Sequence, residues 1–242
     1  MPPPAIYPIR ITFVVCHILV DDSGCVLIDT GLAGETRMIA RQLRRIGRRL
    51  RDVRAIILTH GHLDHAGNLH RLKHVTGAPV YGHRDEQVHV DGTYPYRAIS
   101  RVCGWLEAFG RTVLEYRAAR IDHFIDDDQV LPFWGGLRVV HLPGHTKGHC
   151  GFYSDREDIL FAGDLFVSGY TGTHQAPAIF NSVPDALPES FHRVARLNPG
   201  RILTNHYDRC DARRIKDRFD RYYRNRFGEQ RPSEDLGTTD SH

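Results

Sequence analysis

The segment Thr59-His60-Gly61-His62-Leu63-Asp64-His65 holds four side chains able to bind metal within six residues. His60 and His62 stand two apart, so on an extended or gently turning backbone both imidazoles face one side. Asp64 and His65 follow a turn and can face a second point close by. A single ion wants three or four convergent ligands, and this spacing serves two neighbouring ions better. Further along, His145 is framed by Pro143-Gly144 and Thr146-Lys147-Gly148. Proline and glycine there force an irregular loop from which a side chain can turn into a shared cleft. His141 and His149 stand near enough to replace it as a ligand. Asp164 follows Gly163 and His206 follows Asn205, each after an apolar, strand-like run. His70 and His74, four apart with no third partner nearby, read as surface histidines, and Asp126-Asp127-Asp128 reads as a polar loop.

These side chains need strand ends to hold them. The run Ala55-Ile56-Ile57-Leu58 just before the histidine segment has the length and apolarity of a buried strand. Residues 11–20 and 25–29 flank the turn-forming Asp21-Asp22-Ser23-Gly24 and predict a hairpin. Its second strand closes on Asp29-Thr30-Gly31. Asp29 is there either as part of a plain turn or as an acceptor that orients a metal-binding histidine. From 35 to 47, Met38, Ile39, Leu43 and Ile46 recur at helical spacing and Gly47 supplies a stop. A second helix is expected over 66–75 with Leu69 and Leu72 inward, and a short strand at Pro79-Val80-Tyr81. A third helix, over 94–110, carries Ile99, Val102, Leu106 and Phe109 on one face, either to cover one wall of a pocket or, as expected, simply to pack. Val130-Leu131 and 137–141 form a hairpin about Trp134-Gly135-Gly136. Short strands at 150–153 and 159–162 lead to Asp164, and one at 201–204 leads to His206. A last helix over 208–227 turns Ile215, Phe219 and Tyr223 inward. The stretch 167–184 is a loop long enough to face substrate, which makes Tyr170 and His174 candidate substrate contacts.

Composition sets the class. With 242 residues, 41% hydrophobic and 25% charged, the chain is that of an ordinary globular protein with a sizeable core. We expect a catalytic domain over 1–227 and a polar, disordered tail over 228–242. The net charge of +3 is small for this length and argues against a nucleic-acid partner. Eight arginines lie between Arg37 and Arg54, but no aromatic residues interleave them, so they read as a solvated face. Five cysteines without a Cys-x-x-Cys pair suit reduced thiols in the cytoplasm. The apolar stretch 11–20 is interrupted by His17, ends in Asp21-Asp22 and is too short to span a bilayer.

Taken together, Thr59-His60-x-His62-x-Asp64-His65, Pro143-Gly144-His145-Thr146-x-Gly148, Phe161-Ala162-Gly163-Asp164 and the late His206, with Leu27-Ile28-Asp29-Thr30-Gly31, resemble the metallo-β-lactamase superfamily. Within it the pattern is most similar to the glyoxalase II-like hydrolases. The resemblance implies an α/β fold, a four-layer αββα sandwich with the site at one edge. It implies two divalent metal ions, zinc by default and iron or manganese as alternatives. His60, His62 and His145 would hold the first, Asp64, His65 and His206 the second, with Asp164 between them. A hydroxide shared by the two would attack an ester, thioester or lactone carbonyl of a small-molecule substrate, with Asp64 orienting it or passing its proton on. A phosphodiesterase or nuclease of the same superfamily, and a non-catalytic metal-binding interaction protein, are the alternatives. Only 36 residues follow His206, whereas glyoxalase II adds a helical region with basic residues for glutathione, so a full glutathione pocket is not expected.

Overall fold

The computed structural model describes residues 4–12, 14–169, 172–206 and 210–228. Among the described residues thirteen strands run in chain order: β1 (Ala5–Arg10), β2 (Val15–Asp21), β3 (Gly24–Ile28), β4 (Val53–Ile57), β5 (Val80–His83), β6 (His123–Ile125), β7 (Val130–Leu131), β8 (Leu137–His141), β9 (Cys150–Ser154), β10 (Ile159–Phe161), β11 (Val167–Gly169), β12 (Gly172–His174) and β13 (Arg201–Leu203). The helices are α1 (Thr36–Arg45), α2 (Leu63–Ala66), α3 (Leu69–Thr76), α4 (Gln87–Val90), α5 (Arg101–Val113), α6 (Leu187–Leu197) and α7 (Ala212–Phe227). One sheet has the order β1-β2-β3-β4-β5-β6, the other β13-β10-β9-β8-β7, and β11-β12 is a separate hairpin. Strands β3 to β6 are parallel neighbours, as are β10 and β13. Parallel pairing gives neighbours a common C-terminal end, where β3 and β4 deliver Asp29 and His60, and β10 and β13 deliver Asp164 and His206.

Alternation along the strands builds the layers. Val26 and Ile28 of β3 and Ala55 and Ile57 of β4 face the second sheet, against Val139, Phe152, Leu160 and Ile202. Their neighbours Cys25, Leu27 and Ile56, with Leu58, pack instead on Ile39 and Leu43 of α1 and Leu69 and Leu72 of α3. A central strand covered on both faces has no polar face to show, which is why residues 55–58 read as an unbroken apolar run. On the far side of the second sheet, Phe191 and Val194 of α6 and Ile215 and Phe219 of α7 close the sandwich. The result is the four-layer αββα arrangement. The arginines Arg37, Arg41, Arg44 and Arg45 stand exposed on the outer face of α1. Among the described residues no helix is long and apolar enough to cross a membrane.

Several elements differ from the sequence expectation. The N-terminal strand β1 and the helix α6 carried no recognised signal. The expected helix over 66–75 is two pieces, α2 beginning at Leu63 and α3, so Asp64 and His65 are helical. The loop expected over 167–184 contains the hairpin β11-β12, pinned by Arg218 of α7, whose guanidinium donates to Ser168 Oγ and to the carbonyl of Gly169. The third helix is the largest reversal: α5 buries Cys103 and Glu107 and leaves Val102, Leu106 and Phe109 in solvent, with Ile99 exposed just before it. The residues of the expected tail from 229 onward, and Tyr170, lie outside the described residues.

Candidate metal centre

The site is assembled at the shared edge of the two sheets, which the amide of Cys150 joins by donating to the carbonyl of Thr59 (2.9 Å). Three groupings of side chains bring one ligand atom each to within 4.8 Å of one another: His60, His62 and His145; His60, His65 and Asp164; Asp64, His65 and His206. The seven ligands that the resemblance implies are therefore all in this cluster, whereas His141 and His149 are not. Asp164 Oδ2 occupies its middle, 3.4 Å from His65 Nε2, 3.7 Å from His145 Nε2 and 3.1 Å from His206 Nε2. Asp64 Oδ2 flanks the second group, 3.7 Å from His65 Nε2 and 3.6 Å from His206 Nε2. The first and third groupings each draw residues from both sheets.

The other nitrogen of each of three rings is held by a protein acceptor, which settles the tautomer. His65 Nδ1–H donates to Asp29 Oδ2 (3.0 Å) and His145 Nδ1–H to Asn181 Oδ1 (3.1 Å). Thr59 Oγ1 donates to Asp29 Oδ2 (2.7 Å) and so accepts from His60 Nδ1–H (3.0 Å). Asp29 also accepts from the Thr59 amide and from Asn205 Nδ2. Its backbone lies at a φ of 60°, a left-handed conformation that aspartate tolerates better than most residues. The buried carboxylate thus carries the hydrogen bonds that aim His65 and His60.

With the Nδ1 positions taken, Nε2 of His60, His65 and His145 is left buried with no hydrogen-bond partner, as are His62 Nε2 and Asp164 Oδ1. Buried polar atoms normally find partners, and five orphans turned toward one space are what a divalent cation would satisfy. The donor set of imidazole and carboxylate fits such an ion. Electrostatics agree. Burial lowers His62 to about 4, and burial together with the neighbouring His62 lowers His145 to about 3, so both rings offer a free lone pair at neutral pH. Burial would also discharge His206 and His65, but the Asp164 carboxylate outweighs it, raising His65 and taking His206 up to about 10. For Asp64 burial favours the neutral acid, yet the adjacent His65 and His206 hold it at about 2.

Some contributors had no sequence signature. Glu86, fully buried, accepts from the amides of Gly61 (2.7 Å) and Gly148 (2.8 Å), tying the two histidine loops together. Desolvation moves its carboxyl up to about 7. Gly61 is glycine because a Cβ there would lie 2.8 Å from the Glu86 carbonyl and 2.7 Å from His89 Cβ. Asn181, from the long segment after β12, was equally silent. His149, an expected substitute ligand, is occupied otherwise: its Nδ1–H donates to the Leu142 carbonyl and its Nε2 accepts from the Asp164 amide (2.9 Å). It positions Asp164, and Gly163 at a φ of 56° leaves the room, since a Cβ would come within 2.4 Å of His149 Nε2. His141 Nε2 is bound to the Lys147 carbonyl. His62, Cys103 and Glu107 form one further grouping, but Glu107 already accepts from the Leu63 amide, Tyr96 Oη and Arg111. His174 is exposed on β12, paired with Val167, and is not part of the cluster.

Comparison with known proteins agrees with this geometry. The family model described as the metallo-β-lactamase superfamily matches residues 9–206. A probable metallo-hydrolase of Bacillus subtilis, YflN, is 28% identical over 197 residues, covering 75% of this chain and 74% of the relative. The hydroxyacylglutathione hydrolase GloC of Haemophilus influenzae is 28% identical over 170 residues, covering 67% of this chain and 71% of its own. Among solved structures, the metallo-β-lactamase family protein TTHA1429 of Thermus thermophilus superposes with a TM-score of 0.71 at 22% identity, over 95% of this chain and 82% of that one. With the motifs, the two sheets and the histidine cluster in agreement, the chain belongs to the metallo-β-lactamase superfamily of metal-dependent hydrolases.

Proposed function

We propose that the chain hydrolyses the ester, thioester or lactone bond of a small molecule at a pair of divalent metal ions. His60, His62 and His145 would hold one ion and Asp64, His65 and His206 the other, with Asp164 contributing its carboxylate to the same centre. The observation that carries this reading is the position of Asp164 Oδ2, within 3.1 to 3.7 Å of imidazole nitrogens from both ligand sets. Bound divalent ions, zinc by default, would supply Lewis acidity and bring the pKa of water toward neutrality.

The chain's own residues do the rest. Asp29, Thr59 and Asn181 fix which nitrogen of His65, His60 and His145 faces the centre, as outer partners of metal-bound histidines do. The depressed pKa of Asp64 keeps it a carboxylate at neutral pH, able to orient water by accepting its proton. It is also the more exposed of the two central carboxylates, and so the better placed to hand a proton to a departing alcohol or thiol. The name of the Haemophilus influenzae relative, a hydroxyacylglutathione hydrolase, favours thioesters as the first class to assay.

The test combines metal analysis of the purified protein with a hydrolysis panel of thioesters, lactones and phosphodiesters. About two ions per chain and turnover of carbonyl substrates are expected, with Asp164→Ala removing both metal and activity. Full activity with trace metal, an intact Asp164→Ala enzyme, or turnover confined to phosphodiesters would overturn the proposal.

A further inference from the structure

His60, His65 and His145 are each aimed by an acceptor on the far nitrogen of the ring. His62 is not: among the described residues no hydrogen bond reaches either of its ring nitrogens. Its backbone is gripped instead. The amide of Gly61, just before it, donates to Glu86 Oε2 (2.7 Å), and the amide of Leu63, just after it, donates to Glu107 Oε1 (2.9 Å). Leu63 opens α2, so its N–H has no partner within the helix. Planar peptides leave only φ and ψ free between two such anchors, so fixing the chain on both sides of His62 sets the direction in which its side chain leaves the backbone. Glu86 and Glu107 are both buried, 0% and 8% exposed. A buried carboxylate is costly unless it is paired, so two of them behind one loop need a reason. Among the described residues no cationic side chain pairs with Glu86, whose other oxygen accepts from the Gly148 amide (2.8 Å) in the His145 loop. Glu107 is itself braced by Arg111 (3.1 Å) and by the hydroxyl of Tyr96 (2.7 Å), which accepts in turn from His89 Nδ1–H (3.2 Å).

We propose that Glu86 and Glu107 are positioning residues for His62, and that Glu86, by joining its loop to that of His145, sets the span between the two imidazoles. This rests on the ligand assignment proposed above. The rings of His62 and His145 stand 4.6 Å apart, edge to face, and come from different sheets, so their spacing needs a tie between the loops. Glu86 touches the loops of one ligand set alone. Gly61 lies between His60 and His62, and Gly148 follows His145 by three residues. The other set has its own anchors: Asp29 holds the His65 ring, and the His65 carbonyl accepts from the amide (2.8 Å) and hydroxyl (2.7 Å) of Thr30. Loss of Glu86 therefore falls on the ion assigned to His60, His62 and His145 and spares the one assigned to Asp64, His65 and His206.

Titrating the metal-free full chain with zinc against a chromophoric chelator should resolve two steps, which His62→Ala and His206→Ala identify by removing one each. Glu86→Gln offers one carbonyl to two amides. It should weaken the step that His62→Ala removes by about 10- to 100-fold and leave the other at its wild-type value. Glu107→Leu, with no acceptor for the Leu63 amide, should weaken the same step, and Glu107→Gln, which keeps a carbonyl there, should restore it. Hydrogen exchange on the unmodified, metal-free protein is independent of any variant: the Gly61 and Leu63 amides should exchange more slowly than the His62 amide between them. Equal weakening of both steps by Glu86→Gln, or a Gly61 amide that exchanges as fast as that of His62, overturns the proposal. Two wild-type steps that Glu86→Gln leaves unmoved overturn it alone, whereas a wild type that takes up no zinc overturns the two-ion reading and this proposal with it.

Discussion

Asp29 receives four hydrogen bonds, from the Thr59 amide and hydroxyl, His65 and Asn205, in a site with no solvent contact. Its charge matters more than its shape. An amide in its place keeps one acceptor but presents N–H to donors that already carry protons, leaving His65 unheld. Asp29→Asn should therefore lower metal affinity by about 10- to 100-fold, read by competition with a chromophoric chelator; unchanged affinity would mean that Asp29 only closes a turn. At this scale the sequence was informative where residue type and spacing repeat a chemical need. All seven candidate ligands were readable, and Asp29 was readable as one of two options. Glu86 and Asn181 were not, because each acts through contacts made far along the chain, such as Glu86 with Gly148 across 62 positions. No local pattern encodes that.

The strands and helices divide into those that hold the site and those that hold the sandwich. Phe219 of α7 is fully buried, 5.2 Å from the ring of Phe166 and stacked at 6.0 Å on Phe191. Phe219→Ala should cost about 3–5 kcal/mol of unfolding free energy while turnover per folded molecule stays close to wild type. Chemical denaturation beside an activity assay checks both halves, and a loss of turnover at intact fold would place α7 in the site. Helix positions followed the apolar period well, as Ile39 and Leu43 of α1 and Ile215 and Phe219 of α7 illustrate. The orientation of α5 did not, because the period says which residues share a face and not which face is inward. Glu107 decided that, and one carboxylate reaching one amide leaves no periodic trace. Helix α6 and strand β1 were missed although Leu187, Phe191 and Val194 of α6 keep a helical period, and the partners that bury them come from distant parts of the chain.

Across the molecule, burial of neutral imidazole is the dominant electrostatic theme. Burial lowers His17 to about 4, His149 to about 3 and His89 to about 2. Each binds a proton more readily when unfolded, near pH 6.5, than when folded. Their contribution to stability is complete above that pH and is lost as the pH falls toward the folded values. His206, raised to about 10, runs the other way, contributing fully below pH 6.5 and fading above it. Below pH 6.5 the metal-free protein should lose about 1.4 kcal/mol per pH unit for each of His17, His149 and His89. Denaturation midpoints at pH 7 and pH 4.5 measure this, and equal midpoints would contradict the burial of these rings. The four-layer architecture itself was legible, through its resemblance to a known family and through the apolar runs at strand spacing. The pairing of the two sheets across Cys150 and Thr59 was not, since that bond joins backbones and requires no particular side chain.

His60 and His62 hang from one sheet and His145 from the other, and the same division separates Asp64 and His65 from His206. An ion held by either set is a rivet through both halves of the sandwich, fastened where no strand crosses from one to the other. Its binding energy opposes prising the sheets apart and hardly bears on the hydrogen bonds within each sheet. On the proposed assignment, stripping the ions would thus loosen this shared edge of the two sheets first.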